Sequence, residues 1–431
     1  MQSQVRNLGN RISAGHRDYL LMYNMLVGIR IAVNHATDQF GRELTMDDYK
    51  AVKLLAFDIT GSEQSLGANY DFKFKDYAPL AFQQIRQVCH ISSADYLDSL
   101  TSQYILSEMH SPGKSGNFFY FSRDFRYIIK TIQKSEHHYM RGILHHYYNH
   151  IKNNPRTLLC RYYGLHCIRS PLDGQKLHFV VMENVLPSNK DVHEIYDLKG
   201  SKQGRFLPNN EMEGNPVVVL KDLNWEKKSE YLKLGPTKRA AFEKQLKIDV
   251  EFLISIKAMD YSLMVGIHDL LRGNNENVRH SVLHTFEPDP SAIDLRAASS
   301  LHSLYQEQRM SRADICREIL AQANPNQLDT SHLDYTWSNS PEERNSFYTE
   351  HGGYQATDEN NVPLNLIYYF GVIDLLTKYN LKKRAEHLWK SIVLVTSGKH
   401  SQRHDISAIS PPAYGKRFLQ FITQHLGQPK K

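Results

Sequence analysis

Cysteine is scarce: four residues, Cys89, Cys160, Cys167 and Cys316, in a chain of 431. They are irregularly spaced, and the opening MQSQVRNLGN has no apolar leader. That excludes a disulfide scaffold and points to a reducing, intracellular compartment. In CRYYGLHC, Cys160, His166 and Cys167 fit no usual zinc spacing, so both thiols read as buried and structural. Long apolar runs are absent too. The richest early stretch, YLLMYNMLVGIRIAV from Tyr19 to Val33, is interrupted by Asn24 and Arg30 and is too short to span a bilayer. It reads as a buried helix. No repeat recurs at a fixed period. Acids are scarce in one place in particular. Between Lys382 and Arg417, eight Lys and Arg face two acids, Glu386 and Asp405, and the difference of six equals the +6 of the whole chain. A basic segment of this kind points to an anionic partner, membrane or nucleic acid.

What is present is an ordinary globular composition, 41% hydrophobic and 23% charged, in a chain long enough for one two-lobed domain. YDFKFKDYAPLAF reads as a strand that turns through Pro79 into a helix. NFFYFSRDFRYIIKTI reads as two strands around a polar turn at Ser122–Asp124. SEHHYMRGILHHYYNHI is helical, with Ser135 as the expected N-cap and His137, His138, His145 and His146 on its exposed side. KLHFVVMENVL and HEIYDLKG read as strands. RAAFEKQLKIDVEFLISIKAMD, Arg239 to Asp260, is a helix. From 271 to 361 the composition turns polar, as in a long surface insertion, with a helix around Arg312–Ala323. PLNLIYYFGVIDLL restores a buried strand.

Several pieces carry chemistry. In SPGKSGNFFYF, Gly113 and Gly116 precede a strand, where backbone amides can approach phosphate oxygens; a plain hairpin has the same signature. A P-loop needs glycine five residues before Gly113, and Glu108 stands there. Lys130, in an apolar strand, suits ATP phosphates, and Glu136 suits the carboxylate that orients such a lysine. A first-turn helix acid is the plainer reading of Glu136. Asp260 in AMDYSLMVGIHD reads as the residue that orients or deprotonates a hydroxyl, or as a helix-terminal acid. Asp374 in FGVIDLL reads as an Mg²⁺ ligand, or as the N-cap of a helix DLLTKYN. No His-Arg leads into Asp260, and no Asp-Phe-Gly occurs.

The ordered set GKSGNFFYF, YIIKTI, NPRTLL, HFVVMENVLP, YDLKGSKQGR, MDYSLMVGIHD, GVIDLL and KKRAEHLWKS resembles the catalytic domain of the phosphatidylinositol phosphate kinases, from about Asp71 to Leu426 outside the polar insertion. GIRIAV resembles fungal members. DLKGS followed by MDYSL and IDLL is highly specific. The resemblance implies an α+β, two-lobed divergent kinase fold, with an antiparallel sheet in the N-terminal lobe and a smaller sheet in the C-terminal lobe. The lobes are expected at 69–187 and 188–431, after a helical extension at 1–68 and with a basic activation segment at 377–417. It implies ATP and Mg²⁺ as cofactors. Gly113, Gly116 and Lys130 would hold the nucleotide phosphates, Glu136 would support Lys130, and Asn184 and Val185 would form the hinge. Asp260 would be catalytic, Asp374 would bind metal, and Lys199 would face the transferring phosphate. Lys199 and Arg205, with Lys382, Lys383 and Glu386, would meet the lipid. Glu386 stands where the 5-kinase branch has glutamate and the 4-kinase branch alanine. The implied substrate is therefore phosphatidylinositol 4-phosphate in anionic membranes, at the cytosolic face of the plasma membrane. The runners-up are a 4-kinase and a catalytically silent lipid-binding scaffold. Relatives form dimers, so a homodimer is a candidate assembly. The basic segment lacks interleaved aromatic platforms, so no nucleic-acid partner is expected. Leu366, and Gln203 with Gly204, depart from the family pattern.

Overall fold

The structure, a computed structural model, describes residues 9–11, 19–36, 42–57, 72–101, 107–110, 118–122, 124–169, 174, 176–187, 190–209, 218–228, 230–276, 353–379 and 410–427. These form two compact units. The first holds the described residues up to Lys152 together with Arg161–Asn184, and the second holds Asn153–Cys160 and the described residues from Val185 onward.

The first unit is built on an eight-stranded sheet of order β1-β4-β5-β6-β8-β7-β3-β2. Its strands are β1 (Gly9–Arg11), β2 (Val52–Phe57), β3 (Phe72–Tyr77), β4 (Ser107–His110), β5 (Phe118–Phe121), β6 (Tyr127–Ile132), β7 (Tyr162–Arg169) and β8 (Lys176–Glu183). Every pairing in it is antiparallel. Four helices accompany the sheet: α1 (Tyr19–Ala36), α2 (Pro79–Val88), α3 (Ser93–Thr101) and α4 (Lys134–Asn153). Side chains alternate along a strand, so Phe74 and Tyr77 of β3 point to opposite faces. Phe74 takes α1. Gly28 allows this approach, since a Cβ there would lie 2.1 Å from the Phe74 ring. The Tyr77 face takes α4 through His137, whose ring is 4.4 Å from that of Tyr77 and 4.3 Å from that of His178.

The second unit centres on a five-stranded sheet of order β10-β9-β12-β14-β13 and a two-stranded ribbon, β11-β15. The strands are β9 (Glu194–Leu198), β10 (Val219–Lys221), β11 (Ala258–Met259), β12 (Ser262–Asp269), β13 (Tyr354–Thr357), β14 (Pro363–Ile373) and β15 (Thr377–Lys378). The helices are α5 (Asp222–Lys228), α6 (Pro236–Ser255) and α7 (Pro411–Gln424). Trp225 of α5 meets Tyr196 edge-on at 4.7 Å, and Phe242 of α6 meets Phe370 at 5.0 Å. These aromatics bury large areas and fix helix to sheet.

The α+β, two-lobed class expected from the sequence is the one found. Five local expectations need correction. The polar surface insertion expected over 271–361 ends earlier, since β13 lies within that range and pairs with β14, while its expected helix around Arg312–Ala323 lies outside the described residues. Residues 1–68 are more than a helical extension, because β1 and β2 pair into the sheet beside α1. β2, VKLLAF, pairs with β3 along its whole length and forms one edge of the sheet. Ser135 lies inside α4 rather than capping it. The Glu136 carboxylate instead accepts the Gln133 N–H at 2.7 Å, closing the first turn. His137 is buried at 1% exposure, not on the exposed side. Its spacing from Met140 and Leu144 places it on the apolar face of α4. Helix α6 ends at Ser255, five residues before Asp260. No helix among the described residues is long and apolar enough to cross a membrane.

Candidate functional site

Two loops in the second unit carry the acids singled out by the sequence. Asp260 lies between β11 and β12, and Asp374 lies between β14 and β15. The pairings oppose the two loops: Met259 faces Thr377 on one side, and Ser262 faces Ile373 on the other. Both antiparallel ladders are interrupted at the same level, and an aspartate occupies each interruption. Both take the left-handed conformation, with φ of 62° at each. A non-glycine residue there costs on the order of 1–3 kcal/mol and persists only where its surroundings fix it. Both aspartates are half-buried. The helix-end readings therefore fall away: β11 separates Asp260 from α6, and a turn into β15 follows Asp374.

The Asp374 loop is braced from behind. Leu158 and Cys160 clasp Val372: the Val372 N–H donates to Leu158 O at 2.7 Å, and the Cys160 N–H donates to Val372 O at 2.9 Å. The clasp is held by Asp249 of α6, which is fully buried. Its carboxylate accepts the Thr157 hydroxyl and the Leu158 N–H, each at 2.7 Å, and the Gln245 amide at 3.0 Å. A buried charge is tolerable when donors surround it in this way. This gives the NPRTLL stretch a physical role that its sequence did not disclose.

Lys199 and Arg205 belong to the loop after β9. Asp222, 1% exposed at the start of α5, organises that loop. It accepts the Lys199 N–H at 2.8 Å, the Gly200 N–H at 2.7 Å and Nε of Arg205 at 2.6 Å. The Arg205 guanidinium also donates to Asp197, reaching its carboxylate at 2.9 Å and its carbonyl. Burial, the largest influence on Arg205, works against its charge. Asp197 and Asp222 outweigh that, and the net direction is upward from the usual arginine value. Arg205 thus acts within the protein, tying the loop to β9 and α5. The Lys199 backbone is fixed by Asp222 and its side chain is half-buried. Sequence reading missed Asp222, Asp197 and Asp249. The first and last look like ordinary helix acids in the chain, and only the fold shows what converges on them.

In the first unit, Lys130 stands in β6, paired with Phe119 on one side and Val180 on the other. Its ammonium lies over the Phe119 ring, 5.2 Å from the centroid. Glu136 closes the start of α4, four residues after β6 ends. The chain passes from the first unit into the second between Asn184 and Val185. The Asn184 backbone N–H donates to Arg126 O at 2.9 Å, and its side-chain amide to Phe125 O at 2.8 Å. Val185 packs on Gly371, where a Cβ would come within 2.4 Å of its methyl. Gly113, Gly116, Lys382, Lys383 and Glu386 lie outside the described residues.

The family model described as phosphatidylinositol-4-phosphate 5-kinase matches residues 100–425. The chain is 48% identical to the phosphatidylinositol 4-phosphate 5-kinase its3 of Schizosaccharomyces pombe, an alignment covering 96% of this chain and 54% of that protein. It is 32% identical to phosphatidylinositol 4-phosphate 5-kinase 3 of Arabidopsis thaliana, covering 98% of this chain and 55% of that protein. Another Arabidopsis relative, phosphatidylinositol 4-phosphate 5-kinase 6, is also 32% identical, over 97% of this chain and 55% of its own length. The chain thus spans a little over half the length of these relatives. Matched by that family model over most of its length, the chain belongs to the phosphatidylinositol-4-phosphate 5-kinase family.

Proposed function

We propose that the chain transfers the γ-phosphate of ATP to the 5-hydroxyl of phosphatidylinositol 4-phosphate at anionic membranes, yielding the 4,5-bisphosphate. The observation that carries this reading is the opposition of Asp260 and Asp374, both left-handed, across two interrupted ladders. Phosphoryl transfer needs positioning and charge compensation more than covalent chemistry. Such a pair can divide the work: one carboxylate addresses the attacking hydroxyl, and the other serves a cation on the phosphates.

Asp260 accepts the proton of the inositol hydroxyl as its oxygen attacks phosphorus and the bond to the ADP oxygen breaks. Lys130 neutralises the nucleotide phosphates, with Gly113 and Gly116 as their backbone cover. Lys199 faces the transferring phosphoryl group, and Arg205 holds the Lys199 loop against Asp197 and Asp222. Asn184 and Val185 form the hinge at the adenine. Asp374 fits Mg²⁺, a hard cation commonly held by one or two carboxylates together with substrate phosphates. When bound, the ion offsets charge on those phosphates. Lys382 and Lys383 meet anionic lipid, and Glu386 selects the 4-phosphate over the 5-phosphate isomer. We place the working site at the cytosolic face of the plasma membrane, with a homodimer as the candidate assembly.

The test is radiolabelled phosphate transfer from ATP to the 3-, 4- and 5-monophosphates of phosphatidylinositol in anionic vesicles, with Asp374→Asn as control. Product from the 4-monophosphate alone, lost in the control, is the expected result. Preference for the 5-monophosphate would overturn the role given to Glu386 and leave the kinase assignment standing. Vesicle binding with no transfer to any lipid would make the chain a phosphoinositide-binding scaffold. Glu386→Ala is expected to shift preference toward the 5-monophosphate.

A further inference from the structure

Helix α7 touches two of the three loops of the second unit to which chemistry is assigned, those of Lys199 and Asp260. Its C-terminal half backs the Lys199 loop. At Gly200, φ is 65° and a Cβ would lie 2.9 Å from Phe421 Cβ and 3.1 Å from Arg417 O. Its first half reaches the Asp260 loop. The Tyr414 hydroxyl donates to the carbonyl of Tyr261, the residue after Asp260, at 2.5 Å.

The contact is sealed. Tyr414, Tyr261 and Phe418 are each 0% exposed. The Tyr414 and Tyr261 rings cross at 4.7 Å, and Phe418 meets Tyr261 at 5.2 Å. The Arg417 guanidinium lies 5.0 Å from the Tyr414 ring centroid. Burial chiefly, and the Asp260 carboxylate after it, hold the Tyr414 phenol well above its ordinary range. The phenol therefore stays protonated and remains a donor. The bond it makes is to the Tyr261–Ser262 peptide, one residue beyond Asp260, which is held at φ 62°. Such a backbone relaxes unless it is over-determined. Here β11 holds one side of Asp260, and β12 with the Tyr414 bond holds the other.

We propose that Tyr414 is a positioning residue: through the Tyr261 carbonyl it fixes the backbone that presents the Asp260 carboxylate. The inference deepens the kinase reading and rests on it for the role of Asp260. It assigns to α7 a function that no sequence motif disclosed, because the partners are 153 residues apart.

Tyr414→Phe removes the hydroxyl and keeps the ring. The matched control is Tyr368→Phe. Tyr368 is 1% exposed, and its hydroxyl accepts the Lys233 N–H at 3.1 Å, so the control also loses a buried hydroxyl–backbone bond. Steady-state transfer to phosphatidylinositol 4-phosphate should show kcat lowered roughly tenfold or more in Tyr414→Phe, with KM for ATP held within about twofold. Tyr368→Phe should keep kcat within about twofold of the parent at a comparable unfolding midpoint. Amide hydrogen exchange over residues 258–263 should accelerate in Tyr414→Phe and not in Tyr368→Phe. Equal kcat losses in the two variants, an unchanged kcat in Tyr414→Phe, or unchanged exchange at 258–263 would each overturn the proposal. If the parent chain transfers phosphate to no lipid, the kinase reading fails, and the exchange comparison alone decides the Tyr414 contact.

Discussion

Three donors converge on the Asp222 carboxylate, and one of them is a guanidinium that is itself largely buried, with side-chain exposures of 13% for Arg205 and 1% for Asp222. Removing one partner of a buried pair costs more than the pair contributes, because a charge and two backbone N–H groups lose their acceptor. Asp222→Ala should therefore destabilise the chain by about 3–5 kcal/mol. Urea unfolding followed by tryptophan fluorescence measures this, since Trp225 lies in the same helix. A loss below about 1 kcal/mol would mean the loop re-forms without its anchor. His137 shows the opposite kind of burial. Neither ring nitrogen has a hydrogen-bond partner among the described residues, and the His178 ring lies tilted against it. Burial first, then His178, Arg141 and His138, push its pKa from 6.5 down to about 3. Tyr77 faces it from β3 and Lys134 lies near His178, and every influence acting on His137 among the described residues opposes an added proton. The folded state favours the neutral ring. That contribution is complete above pH 6.5 and is lost as pH falls toward the folded value. By pH 5 the loss should reach about 2 kcal/mol. Denaturation between pH 7.5 and 5 should show it, and His137→Phe should flatten that slope.

At the scale of elements, strands and helices with clear periodicity were legible in the chain. KLHFVVME, YIIKTI and PLNLIYYFGVI form β8, β6 and β14, and the long helix after Pro236 is α6. What was not legible depends on distant partners. The β11–β15 ribbon has two residues on each side and no pattern of its own, yet it opposes Asp260 and Asp374. Asp249 and Asp222 look like ordinary helix acids until Thr157, Leu158, Lys199 and Gly200 arrive from elsewhere in the chain. The same limit hid the Gly200 contact, where DLKGS meets α7 more than 200 residues later. Gly200→Ala would place a side chain at φ 65° and against Phe421 and the Arg417 carbonyl. The strain alone costs about 1 kcal/mol and the contact adds to it. The unfolding midpoint should fall, and turnover should fall with it, because α7 can retreat only by loosening its hold on Tyr261. A variant with full stability and full turnover would show that α7 and the Lys199 loop adjust independently.

For the whole molecule, charge is the property that joins the proposed chemistry to its surface. The excess of six positive charges equals the imbalance between Lys382 and Arg417, so the remainder of the chain is formally neutral. A basic stretch beside an anionic bilayer contributes roughly 1 kcal/mol for each Lys or Arg near the surface. Salt screens that attraction over about 8 Å at physiological ionic strength. Nucleotide binding by groups within the fold is screened far less. Raising salt from about 0.05 to 0.5 M should therefore release the chain from vesicles rich in phosphatidylserine. KM for lipid should rise steeply while KM for ATP changes little. Lys382→Glu with Lys383→Glu should reproduce the high-salt behaviour at low salt, reversing the sign of two charges in the segment. Co-sedimentation with vesicles and turnover measured on the same samples separate the two effects. If binding falls and turnover per bound molecule holds, the segment is an electrostatic tether. If turnover per bound molecule also collapses, Lys382 and Lys383 act on the lipid head group itself.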